Sequence, residues 1–250
     1  MRKAVFRFIS LFFIISVFYL LSEGYVLCEE PNLDHIVGKV KAKQLKILGE
    51  IDDSICLAES IYREMRKDGG LKKRVVTKKR IYMKGTTKRH EECISMNVNG
   101  KMLGKTEMEK EFKNGEDQRE VRLPLTPEGE GHYDFHLAGS GVFNGMDVWM
   151  IDFRAKKKKD EFVNGRGYIS KDTFDVVRVE LVPAKLSRLV EDLKVSVTST
   201  RIEGYWMPVK FEMDLKIRVS FLYYKHITVE ETYSEYRLNN QLEDSIFESK

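Results

Sequence analysis

Few stretches of this chain group side chains that could do chemistry. His132, Asp134 and His136 alternate, so in a strand all three would share one face, as a metal ion would require. The chain has only 5 histidines, and two at this spacing also arise easily by chance. Ser140 sits in Gly-Ser-Gly, but the strand–turn–helix frame of a nucleophile elbow is missing around it. Asp147, Asp152 and Glu180 fall on strand-like segments, where solvated carboxylates are the ordinary outcome. The basic run KKRVVTKKR at 72–80 has two readings: a contact for anionic lipid head groups, or a solvated, edge-protecting strand. There is no phosphate loop and no Gly-x-Gly-x-x-Gly. The expectation is a protein that is not an enzyme and has no cofactor and no metal.

Cysteine usage points the same way. Three cysteines exclude a disulfide-dense scaffold. Cys56 and Cys93 fall on the first and third strands of a meander, where neither faces the other. Two free, buried thiols are expected rather than a bridge. Cys28 follows the bulky Leu27, which disfavours lipidation.

The start of the chain has the layout of an export signal. Arg2, Lys3 and Arg7 precede an uncharged run at 8–22, FISLFFIISVFYLLS. As a helix that run would cover ~22 Å, short of a bilayer core of ~30 Å. Ser22 and Gly24 allow cleavage after residue 24, and Val26 and Cys28 allow it after 28. The expected organisation is a signal peptide at 1–24 and a single domain at 29–250, periplasmic or elsewhere in the cell envelope. An uncleaved anchor is the alternative.

The rest of the chain must position whatever the protein binds. Its 250 residues are 42% hydrophobic and 33% charged, which excludes the composition of a disordered chain. Five prolines and 17 glycines exclude collagen and proline-rich linkers. A formal charge of +4, spread along the chain, implies no nucleic-acid partner. Residues 34–49 read as a helix, with Ile36, Val37, Val40, Leu45 and Leu48 at helical spacing. From Asp53 the period changes to two. Strands are expected at 53–65, 71–84, 86–98, 146–156, 168–170, 173–182, 193–201, 209–219 and 223–237. Asp68-Gly69-Gly70, Asn99-Gly100, Asn164-Gly165 and Glu203-Gly204 read as turns. A short helix is expected at 105–114. Residues 118–145 read as a long irregular stretch, a candidate functional loop.

This order predicts an α+β fold with a curved antiparallel sheet of about eight or more strands, unclosed, covered by helices. The concave side of such a sheet holds either a packed core or a cavity for an apolar ligand. The inward candidates are Ile55, Leu57, Ile61 and Met96 in the first half. In the second half they are Trp149, Ile151, Phe153, Val179, Val209, Phe211, Met213 and Leu215. Met65, Met150 and Tyr223 add flexible or aromatic bulk.

Some segments carry a family resemblance. They are Asn99-Gly100-Lys101 before a charged helix, GRGYISKDTFDVVRVE at 165–180, and GYWMPVKFEM at 204–213 before a terminal strand with paired aromatics. Together they resemble the LolA-like outer-membrane lipoprotein-sorting proteins, in a divergent branch. The resemblance implies an unclosed half β-barrel, covered by helices, that carries lipoprotein acyl chains or other lipids across the envelope. It implies a non-catalytic monomer that works between donor and acceptor membrane proteins. Arg178 is the positional candidate for the arginine that latches the lid in such carriers. The alternative is an envelope interaction module on the same fold, with a filled core and no transported ligand.

Overall fold

Helix α1 (Leu33–Glu50) buries Ile36, Val37 and Val40. Asp34 in its first turn suits the positive helix N-terminus. Leu45 and Leu48, expected on the same apolar stripe, are exposed. Burial is therefore confined to the N-terminal half of the helix. The computed structural model describes residues 32–112, 123–126, 129, 131–219 and 223–248, apart from the side chains at 219 and 223. The expected signal peptide at 1–24, its alternative end at 28, and Cys28 lie outside the described residues. Residues 33–250 form one compact unit.

Among the described residues eleven strands follow α1: β1 (Asp53–Met65), β2 (Leu71–Lys84), β3 (Lys88–Val98), β4 (Lys101–Met102), β5 (Tyr133–Phe143), β6 (Met146–Ala155), β7 (Val163–Ser170), β8 (Val176–Pro183), β9 (Val190–Ile202), β10 (Tyr205–Val219) and β11 (Tyr223–Leu238). Helix α2 (Lys105–Phe112) stands between β4 and β5. The strands form one curved antiparallel sheet in the order β4-β3-β2-β1-β11-β10-β9-β8-β7-β6-β5. Two meanders are joined where the last strand returns to the first. The outer strands β4 and β5 do not pair with each other, so the sheet stays open. This is the α+β, unclosed-barrel class that the sequence predicts.

Some details differ from the sequence reading, each for a physical reason. The stretch read as irregular contains β5. Its alternation of Tyr133, Phe135 and Leu137 is broken by a bulge before Gly139, whose φ is 137°. Asn164-Gly165 is not a turn but part of β7; the chain reverses just before it, over residues 156–162, which include the lysine run. Gly165 instead permits close approach of strands. A Cβ there would stand 1.9 Å from the Glu180 carbonyl oxygen and 2.9 Å from Phe153 Cζ. The basic strand β2 is interior, between β1 and β3, so it protects no edge. Carboxylates on neighbouring elements pair its lysines, as in Lys72–Glu64, Lys73–Glu111, Lys78–Glu59 and Lys79–Glu231.

Candidate functional site

Alternation gives the sheet two unlike faces. One receives α1. There Ile36, Val37 and Val40 pack with Trp149, Ile151 and Ile169. Burial of three aliphatic side chains on this scale stabilises by about 1.5–3 kcal/mol each. The connection between β7 and β8 clasps the helix from the side. Phe174, at φ 58°, lies 5.3 Å from the Trp149 ring and 6.0 Å from the His35 ring. Beside it the Lys43 ammonium donates at 2.7 Å to both the Thr173 carbonyl and the buried Asp175 carboxylate. A bulky residue at positive φ is strained, and packing on both rings holds it there. The connection KDTFD at 171–175, within the stretch 165–180, is thus the segment that grips α1.

Beyond α1 the same face continues as apolar rows set by strand register. Leu181, Val195, Met213 and Val229 are neighbours across β8, β9, β10 and β11. Val179, Val197 and Phe211 form a second row, and Leu193, Leu215 and Ile227 a third. Most of these side chains are only half-buried. All three rows end in polar groups where they reach β11 and β1: Tyr62, Glu231 and Glu64.

Two charged clusters stand at that polar margin. In one, Lys79 bridges Glu91 at 2.9 Å and Glu231 at 3.0 Å, and Arg89 also bonds Glu91. Burial would raise the Glu91 carboxyl, but Lys79 and Arg89 outweigh it and hold the group below its ordinary range. Beside them Cys56 is buried, and desolvation pushes its thiol up to about 11. Burial likewise raises the Tyr233 and Tyr236 phenols. In the other cluster the Glu64 carboxylate is met by Lys72 at 2.6 Å, Lys225 at 3.5 Å and the Tyr62 hydroxyl at 3.3 Å. The Lys72 bond holds the Glu64 carboxyl low.

The opposite face is polar. Arg166 grips Asp152 through two bonds of 2.6 and 3.0 Å. Arg178 reaches Glu180 at 3.0 Å and Glu212 at 3.7 Å. Lys210 reaches Glu212 at 2.8 Å and Glu230 at 3.4 Å, and Arg63 stands 3.9 Å from Glu230. All of these except Lys210 line a cleft of about 740 Å³, whose lining also includes Leu181, Val195, Met213 and Val229 of the row between the charged ones. Five basic and five acidic side chains balance in its lining.

The structure divides the residues proposed from sequence. Met96, Trp149, Ile151, Phe153, Val179, Phe211, Met213 and Leu215 lie on the face that holds α1. Trp149 and Ile151 are covered by α1, and Phe153 by Phe162 and Tyr133. Val209 sits at a bulge between the paired Pro208 and Lys210. Ile55, Leu57 and Ile61 point to the polar face, because β1 turns its small residues Cys56, Ala58 and Ser60 toward the other side. Ile55 and Leu57 line a second cleft of about 360 Å³ there. Met65 shares their face. Met150 cannot share a face with its neighbour Trp149, and it lies with Asp152 on the polar side. Arg178 is also on the polar side, paired with Glu180 and Glu212.

Asp134, His136 and Ser140 are exposed on β5, and His132 stacks on Phe162 at 5.2 Å. Among the described residues no three His, Cys, Asp or Glu side chains converge as metal ligands. Sequence reasoning did not find the cluster of Tyr62, Glu64, Lys72 and Lys225. Its signals were the basic run at 72–80, which holds Lys72, and the small-residue face of β1, which carries Tyr62 and Glu64.

The chain is similar to solved structures. One is a DUF1329 family protein from Desulfovibrio piger ATCC 29098, at 17% identity over 84% of this chain and 95% of that one, TM-score 0.42. Another is a LolA superfamily protein from Nitrosomonas europaea, at 13% identity over 86% and 97%, TM-score 0.36. A third is the lipoprotein LppX from Mycobacterium tuberculosis, at 10% identity over 85% and 99%, TM-score 0.29. The superfamily that the motifs at 165–180 and 204–213 resemble is thus among the structures found. At these scores the overlap is partial. No curated protein matches the chain. A family model described as a family of unknown function, DUF5686, matches residues 75–236, well over half of the sequence, and the chain belongs to that family.

Proposed function

We propose that this protein is an exported, non-catalytic carrier or binder of acyl chains, taken from lipoproteins or other lipids of the cell envelope. The observation that carries this reading is the set of half-buried apolar rows across β8 to β11, beside the part of the sheet that α1 covers. The physical need for a carrier is large. Each buried methylene is worth about 0.8 kcal/mol, so a long acyl chain left in water is strongly disfavoured. An open apolar trough offsets that cost without enclosing the chain so fully that release fails. The signal-like start of the sequence supports export.

Native mass spectrometry of the exported protein tests the reading. A bound lipid that is lost on delipidation, and restored by adding acyl chains, is the expected result. Identical spectra before and after delipidation would contradict it.

A second reading has its own observation. The polar cleft of about 740 Å³ lies on the face away from α1, and its matched charges suit a polar protein surface. On that reading the fold is an interaction module of the envelope. It predicts a stable partner and no displaceable lipid.

A further inference from the structure

The apolar rows do not end at random. Leu193, Leu215 and Ile227 run in register across β9, β10 and β11, and the next residue in that row is Glu64 on β1. In the adjoining row Val195, Met213 and Val229 lead to Tyr62, whose hydroxyl donates to Glu64. Lys72 and Lys225 both converge on this carboxylate. Glu64 is 11% exposed, whereas Lys72 is 60% and Lys225 29% exposed, so the carboxylate is the buried anchor and the ammonium groups are the accessible part. The next lysine, Lys73, is paired with Glu111 of α2. The cluster therefore holds two ammonium groups against one carboxylate. Each ammonium has three donors, and one carboxylate cannot occupy them all. The row that ends at Tyr62 runs from β1 to Leu181 on β8, four strand spacings or ~19 Å, and the row that ends at Glu64 runs three, from β1 to β9; together they are long enough for much of an extended acyl chain.

We infer that the ligand is a single-chain anionic amphiphile, its tail along the apolar rows and its anionic head held by Lys72 and Lys225 over Glu64. This rests on the carrier reading and names its substrate class. Glu64 keeps the two lysines aimed at the end of the trough, and Tyr62 fixes Glu64. A neutral head group would leave those ammonium groups with surplus donors and gain nothing from them. A small anion without a tail would gain only the exposed, salt-screened part of the interaction.

Competition binding to the full chain tests this, with a fluorescent fatty acid, its methyl ester and inorganic phosphate as probes. The fatty acid is expected to bind about tenfold tighter than the ester. In the double variant Lys72→Gln, Lys225→Gln the two are expected to bind equally. Inorganic phosphate is expected not to displace the fatty acid. In the unmodified protein the acid's advantage is expected to shrink as salt is raised, a measurement that needs no variant. Equal binding of acid and ester by the unmodified protein would overturn the inference while leaving the carrier reading intact. A preference that survives in the double variant, or is insensitive to salt, would also overturn it, as would displacement by phosphate. If the unmodified protein takes up neither acid nor ester, the carrier reading fails and this inference with it.

Discussion

Lys43 of α1 and Asp175, just before β8, meet at 2.7 Å across 132 residues of sequence, with the aspartate 3% exposed. This pair pins the helix to the sheet at the edge of its apolar contact. A buried carboxylate deprived of its counter-ion is costly, and the partial exposure of the lysine reduces that cost. Lys43→Met is expected to lower stability by about 1–3 kcal/mol, measured as a shift in the urea midpoint at unchanged slope. Adding Asp175→Asn should return part of the loss. An unchanged midpoint in the single variant would show that the pair does not hold the helix.

Gly165 tests the pinch between β6, β7 and β8. Gly165→Ala forces a methyl group against the Glu180 carbonyl and the Phe153 ring, and should cost about 1–3 kcal/mol. Gly167→Ala, two residues on, meets only ordinary contact with Ile169 at 3.6 Å and should be tolerated. Thermal melts of the two variants should therefore separate clearly. Equal melting temperatures would mean that the strands can part at little cost.

These positions also show what was legible in the sequence and what was not. The clean alternation of Phe211, Met213 and Leu215 against Lys210, Glu212 and Asp214 predicted both strand and face. So did the hairpin at Asp68-Gly69-Gly70. The face of β1 was misleading because its outward residues, Ile55, Leu57 and Ile61, are larger than its inward Cys56, Ala58 and Ser60. Inward positions on an interior strand can be small where the neighbouring Ile81 and Tyr233 fill the space. β5 was hidden by its glycine-rich bulge, and Asn164-Gly165 imitated a turn because close strand approach needs the same residue that a tight turn does. The head-group cluster joins residues 62–72 to 225 through β-pairing at long range, which local spacing does not report.

Asp53 provides a pH test. Burial raises its carboxyl, but the backbone N–H groups of Leu242 and Asn240, donating at 2.8 and 2.6 Å, outweigh this and set it below its ordinary value. A carboxylate held low in the folded protein adds stability above its unfolded pKa and loses it as pH falls through the folded one. Stability should therefore fall on the acid side. Asp53→Asn should flatten that fall while costing about 1–3 kcal/mol at neutral pH, as read from urea unfolding across pH. An acid limb of the same slope in the variant would assign it to other groups.

Cys56 should be nearly inert. Its thiol is buried and pushed up to about 11, so little thiolate exists near neutral pH. Mass spectrometry after brief alkylation of the native protein should find Cys56 unmodified, and full labelling only after denaturant is added. Rapid native labelling would show that the sheet opens between β1 and β2.

The central claim is that the face bearing α1, not the polar face, takes up an acyl chain. Titration of the full chain with a fluorescent fatty acid tests it, comparing the unmodified protein with Phe211→Asp in the apolar rows and Lys194→Glu at the polar cleft. The account predicts saturable uptake, weakened about tenfold or more by the first change and left unaltered by the second. Absence of uptake by the unmodified protein, or loss of binding only with the Lys194 variant, would contradict it.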